Sequence, residues 1–146
     1  MPNWDTSLVT DMKEAFKSKT TFNVNIGNWD TSKVTDMRFM FRRAYSFNQN
    51  IISWDTSQVS NMWSMFRGAS SFNQNISSWD TSKVTSSYGM YRMFYGASSF
   101  NQDVSGWTGT AATSAQTDMF FGATAFQAKY TCTDTNNGPA SSCVTK

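Results

Sequence analysis

Four aspartates recur at a single spacing. Asp5, Asp30, Asp55 and Asp80 stand 25 residues apart, each inside the tetrapeptide Trp-Asp-Thr-Ser. Stacked at the spacing of about 4.8 Å that separates neighbouring strands, such carboxylates repel one another unless each accepts local hydrogen bonds or a cation bridges them. Two chemistries are therefore open to the row, a calcium ladder or a set of Asx-type turns. In Asp-Thr-Ser the turn is the favoured reading, with each carboxylate accepting backbone N–H groups just downstream. The chain contains no histidine, which removes the usual general base near neutral pH and the commonest metal ligand. Neither a phosphate-binding glycine loop nor a nucleophile elbow is present. No catalytic residue, cofactor site or metal site is assigned.

The elements that would position these residues follow from the same period. Counting from each tryptophan, Val lies five residues on (Val9, Val34, Val59, Val84), then Met at eight (Met12, Met37, Met62). Phe follows at twelve (Phe16, Phe41, Phe66) and eighteen (Phe22, Phe47, Phe72), and Ile at twenty-two (Ile26, Ile51, Ile76). A fixed period of this length marks a stacked repeat protein. Met37, Met40, Phe41 and Ala44 fit one face of a two-turn helix, with Thr35 or Asp36 as its N-cap. Ser-Lys-Val-Thr around Val34 suits a short strand, and Ser-Phe-Asn-Gln-Asn is turn chemistry. The fold class predicted is a repeat solenoid, leucine-rich-repeat-like, with one short parallel strand plus a short helix or 3-10 segment per unit. The aromatic and methionine columns are read as its core.

The solenoid domain is placed at residues 1–128, about five repeats with the fifth degraded from Trp107 onward. Residues 129–146 form a C-terminal cap or tail. Three extra residues in unit four fall around Ser86-Ser87-Tyr88. Cys132 and Cys143, eleven positions apart in the tail, read as a disulfide loop, which favours an extracellular or cell-surface setting. Met1-Pro2-Asn3 leads straight into Trp4 without a basic and apolar leader, so no signal peptide is expected in this chain. No run of apolar residues is long enough for a transmembrane helix, and a formal charge of +2 does not point to nucleic acid. Asn75-Ile76-Ser77 matches the glycosylation sequon, but Asn75 also belongs to a column with Asn25 and Asn50, which favours a turn role.

With these columns laid out, the run Phe72-Asn-Gln-Asn-Ile-Ser-Ser-Trp-Asp-Thr-Ser-Lys-Val-Thr resembles the 25-residue repeat of mycoplasma surface lipoproteins, a family related to BspA-like leucine-rich repeats. The resemblance covers residues 4 to about 126. It implies a leucine-rich-repeat-like solenoid on a secreted or surface-anchored protein, and no reaction.

The function expected is a non-catalytic surface or secreted repeat module for protein or glycan interaction, of adhesion or surface-coat type. Its partner-binding face is placed on Lys33, Thr35, Gln58, Ser60, Lys83 and Thr85, which flank the Val column. The alternative is an ice- or crystal-surface binder using threonine ladders, one of them Thr6, Thr31, Thr56 and Thr81. An enzyme is the last alternative. Basic residues including Arg38, Arg42, Arg43, Arg67 and Arg92 gather on the helical side, where they read as a solvated face or an anionic-partner site. A homodimer is expected through the N-terminal unit, with Trp4, Val9, Met12 and Phe16 in contact.

Overall fold

Two backbone positions with positive φ, four residues apart, shape every unit of the repeat. In the computed structural model, which describes residues 4–146, the first falls at Glu14, Phe39, Ser64, Arg92 and Asp118, with φ between 52° and 61°. The second falls at Ser18, Arg43, Gly68, Gly96 and Gly122, with φ between 60° and 72°. A left-handed residue interrupts a right-handed helix. The stretch from Met37 to Ala44 therefore folds as successive tight turns. Met40 N–H donates to Met37 O at 3.3 Å, Arg42 to Phe39 at 3.0 Å and Ala44 to Phe41 at 3.0 Å. Linked turns of this size still carry residues three and four apart to the same side, so Met37, Met40, Phe41 and Ala44 are all buried.

The expected fold is corrected accordingly. Among the described residues no unit contains a strand followed by a helix, and a leucine-rich-repeat-like solenoid is not the arrangement found. The α-helices are α1 (Thr110–Thr113) and α2 (Thr124–Lys129), both in the degraded fifth unit, with one 3-10 turn at Ala140–Ser142. The sheet is a two-stranded antiparallel pair, β1 (Tyr130–Thr131) with β2 (Val144–Thr145). The strand expected around Val34 fails for a local reason. Asp30 draws Ser32 N–H into an Asx turn at 3.0 Å, and Val34 N–H then closes on Thr31 O at 2.9 Å. Parallel pairing is reduced to isolated bridges, Asp11 with Asp36 and Asp36 with Asn61. The leader reading at Met1-Pro2-Asn3 lies outside the described residues.

The turns are bonded to one another at the sequence period. Amides of Met12, Glu14, Phe16 and Ser18 donate to carbonyls of Asp36, Arg38, Met40 and Arg42 at 2.7–3.0 Å. Those of Met37, Phe39, Phe41 and Arg43 donate likewise to Asn61, Trp63, Met65 and Arg67. Rings follow the same offset. Phe16, Phe41, Phe66, Phe94 and Phe120 succeed one another at 5.5–5.9 Å between centroids. Phe22, Phe47, Phe72, Phe100 and Phe126 form a second row at 5.8–6.1 Å. Each indole N–H of Trp54, Trp79 and Trp107 reaches a buried carbonyl, of Ile26, Ile51 and Ile76 respectively, as a buried tryptophan requires.

At the C-terminal side, Cys132 and Cys143 form a disulfide. The loop they close carries Asn136 and Asn137, whose carbonyls accept from Phe120 and Gln116 N–H at 2.8 Å. Asn137 Oδ1 accepts from Asp118 N–H at 2.8 Å. The last row of turn amides thus ends on this loop.

Candidate binding face

The aspartate row is spent on its own backbone. Asp5, Asp30, Asp55 and Asp80 each accept the N–H of the serine two residues on, at 2.9–3.0 Å. The Ser7 and Ser32 hydroxyls add second bonds at 2.6 Å. In Asp5, Asp30 and Asp80 the serine hydroxyl and then the serine amide hold the carboxyl below its usual range. Among the described residues no group of His, Cys, Asp and Glu is arranged to hold a metal ion.

The threonine ladder is likewise consumed. Thr6, Thr31, Thr56 and Thr81 are buried, and the last three donate their hydroxyls to carbonyls of Asp55, Asp80 and Thr108 at 2.8–2.9 Å. This ladder therefore presents no hydroxyl surface to ice or a crystal.

Lys33, Thr35, Gln58, Ser60, Lys83 and Thr85 do stand exposed. The Thr35 and Ser60 hydroxyls, however, donate to the carbonyls of Thr10 and Thr35 at 3.2 Å, and Lys83 Nζ is bound to Gln58 Oε1 at 2.6 Å. Most of the polar capacity of this row is turned inward along the row itself.

A different face combines charge with aromatic surface. The turns that bury Met37, Met40 and Phe41 direct Arg38, Phe39, Arg42 and Arg43 outward, and later units place Trp63, Arg67, Tyr91, Arg92, Tyr95 and Phe121 beside them. Cations lie over rings throughout: Arg42 over Phe39 at 5.6 Å, Arg67 over Tyr95 at 5.1 Å and Arg92 over Tyr91 at 4.8 Å. Arg38 pairs with Asp36 at 2.6 Å and Arg92 with Asp118 at 2.9 Å. Arg42, Arg43 and Arg67 have no carboxylate in salt-bridge contact among the described residues, and Arg42 Nε is a buried donor without a partner. Burial, followed by repulsion from Arg42 and Arg92, lowers the Arg67 pKa. A cleft of about 180 Å³ opens here, lined by Arg43, Tyr45, Arg67, Gly68, Tyr95 and Gly96.

Sequence reasoning placed the arginines together but missed their aromatic partners. The signal was present: Phe39, Tyr45, Trp63, Tyr91, Tyr95 and Phe121 are aromatic residues outside the core columns.

Of the residues expected at a dimer contact, Met12 is buried, Val9 and Phe16 are half-buried and Trp4 is 61% exposed. Trp4, Phe16, Phe22 and Trp29 line an apolar hollow of about 200 Å³.

A family described as "Mycoplasma protein of unknown function, DUF285" matches the chain over residues 1–92 and again over 53–141. That description carries no statement of adhesion or binding. No curated protein and no solved structure matches the chain. No helix among the described residues is long and apolar enough to cross a membrane.

Proposed function

The chain belongs to the mycoplasma family DUF285, and from there we propose that it is a non-catalytic interaction module of a secreted or cell-surface protein, binding acidic groups on a protein or glycan surface. One observation carries this reading: Arg42, Arg43 and Arg67 crowd together without acidic partners on a face rich in part-exposed aromatics. Like charges held close cost stability, and a solvated face has no need to hold them so. Arginine and aromatic residues are also the types enriched where proteins bind partners. A guanidinium stacked on a ring is oriented in advance for a carboxylate or sulfate. The disulfide supports the extracellular setting, because such bonds persist in oxidising compartments.

The test is a binding screen of the full chain against acidic and neutral glycans and acidic protein surfaces, beside the variants Arg43→Ala and Arg67→Ala. Both side chains are outside the core, so the variants keep the fold. The expected result is salt-sensitive binding to acidic members that either variant weakens. Binding unchanged in both variants, or no binding to any acidic member, overturns the reading.

A further inference from the structure

The hydrogen bonds between units have a direction. From unit one through unit five, turn amides donate forward to the next unit's carbonyls, and the last of them end on Asn136 and Asn137. Other amides donate backward: Thr35 to Thr10 O at 2.8 Å, Ser46 to Thr20 O at 3.1 Å and Asn48 to Asn23 Oδ1 at 2.9 Å. Unit one therefore presents a polarised edge. The carbonyls of Asp11, Lys13, Ala15 and Lys17 occupy the register of Asp36, Arg38, Met40 and Arg42, yet receive no amide from any described residue. The amides of Thr10, Thr21 and Asn23 occupy the register of Thr35, Ser46 and Asn48, and find no acceptor among the described residues. Unit one also lines the apolar hollow with Trp4, Phe16 and Phe22.

We infer that this face is a docking surface for one further unit of the same repeat, presented head to tail by its own amide-bearing face. That partner supplies four forward amides two residues apart, three acceptors matching Thr10, Thr21 and Asn23, and a phenylalanine pair to continue the ring rows. A second copy of this chain does not supply them. Its amide face is already taken by Asn136 and Asn137, and a two-fold contact that lays the two turn strips together sets carbonyl against carbonyl. Carbonyls so placed lose water without gaining a donor, which costs free energy. The hydrogen-bond polarity selects a unit in the same sense as the units already present.

The experiment uses the full chain extended by the segment Trp54–Ser78, repeated directly ahead of Trp4. The expected result is a higher Tm, a blue shift in Trp4 emission, and slow hydrogen exchange at the added amides that correspond to Met62, Ser64 and Phe66. A semisynthetic version with esters in place of those three amides keeps every side chain and loses the gain in Tm. The inference is overturned if the added amides exchange freely with Trp4 still exposed, or if the ester version is stabilised as much as the amide version. A two-fold dimer of the unextended chain that Phe16→Glu dissociates also overturns it. None of these readouts depends on the arginine face.

Discussion

The hydroxyl of Thr56, itself only 1% exposed, donates to the backbone carbonyl of Asp80 at 2.9 Å. The same bond joins Thr31 to Asp55 and Thr81 to Thr108. These threonines tie units two, three and four each to the following unit, at a point where no strand pairing exists to do so. Thr56→Val keeps the shape and removes the donor, leaving the carbonyl of Asp80 without this partner. The expected cost is about 1–3 kcal/mol. Urea unfolding of the variant checks it, and stability equal to wild type would show that water replaces the hydroxyl.

Phe66 is fully buried and lies between Phe41 at 5.5 Å and Phe94 at 5.8 Å, with Phe72 at 3.9 Å across the unit. Removing its ring opens a cavity in the first phenylalanine row, beside Phe72 of the second. Phe66→Ala is expected to cost about 3–5 kcal/mol, as large-to-small core changes do. A loss of less than about 1 kcal/mol in the same measurement contradicts the packing described.

The core was legible in the sequence and the backbone was not. Strict phasing identified the Val, Met and Phe columns that are buried from unit two onward and the tryptophans that are buried from Trp54 onward, Trp29 being half-buried. The spacing of Met37, Met40, Phe41 and Ala44 suggested a helix because linked tight turns place residues three and four apart on one side, as a helix does. What distinguishes the two is the φ at Phe39 and Arg43, and the first of these columns is never glycine. The second becomes glycine only at Gly68, Gly96 and Gly122. Those three glycines were the readable trace of the turn. The binding face was half legible: a helix and these turns both send Arg38 and Arg42 outward, but Phe39, Tyr91 and Tyr95 lie outside the repeating core columns and their pairing with the arginines was missed.

Gly96 tests that reading of the backbone. Its φ is 67°, and a Cβ built there would meet nothing nearer than Gly68 Cα at 3.9 Å. Space is therefore available, and conformation alone opposes a side chain. Gly96→Ala is expected to lose about 1–2 kcal/mol through the left-handed penalty. Ser18, in the same column at φ 60°, gives the converse: Ser18→Gly is expected to be neutral or slightly stabilising, since relief of strain offsets the greater freedom of the unfolded chain. Thermal unfolding of both variants reads the pair.

Acid should weaken the fold through its Asx turns. Serine hydroxyls and amides lower the carboxyl pKa of Asp5, Asp30 and Asp80, while the Ser105 amide and then its hydroxyl lower that of Asp103. The amides of Asn137 and Asn136 do the same for Asp134. Unfolded aspartates titrate at about 3.9, so the unfolded chain takes up protons first as pH falls. The stabilisation is complete above roughly pH 5 and is lost as pH drops through 4 toward the lower folded values. With no histidine in the chain, no histidine titration contributes between pH 5 and 8. Midpoints of urea unfolding between pH 2 and 8 should show a plateau and then a fall on the acid side. A rise on acidification contradicts the turn bonding.

The disulfide loop closes the last row of amides, so its loosening should be felt there first. Asp134 holds the loop's turn by accepting the N–H groups of Asn136 and Asn137 at 2.9 Å, and that turn presents the acceptors for Gln116, Asp118 and Phe120. Reducing Cys132–Cys143 restores freedom to the unfolded chain, a loss of about 3 kcal/mol in the loop-entropy account. Under native conditions the expected effect is local: faster hydrogen exchange at Gln116, Asp118 and Phe120, with Met37, Phe39 and Phe41 unchanged. Asn137→Ala, which removes the acceptor for Asp118 and leaves the disulfide intact, should speed exchange at Asp118 most. If reduction instead accelerates exchange evenly through all units, the units unfold as one body and the loop is not a separable closure of the last.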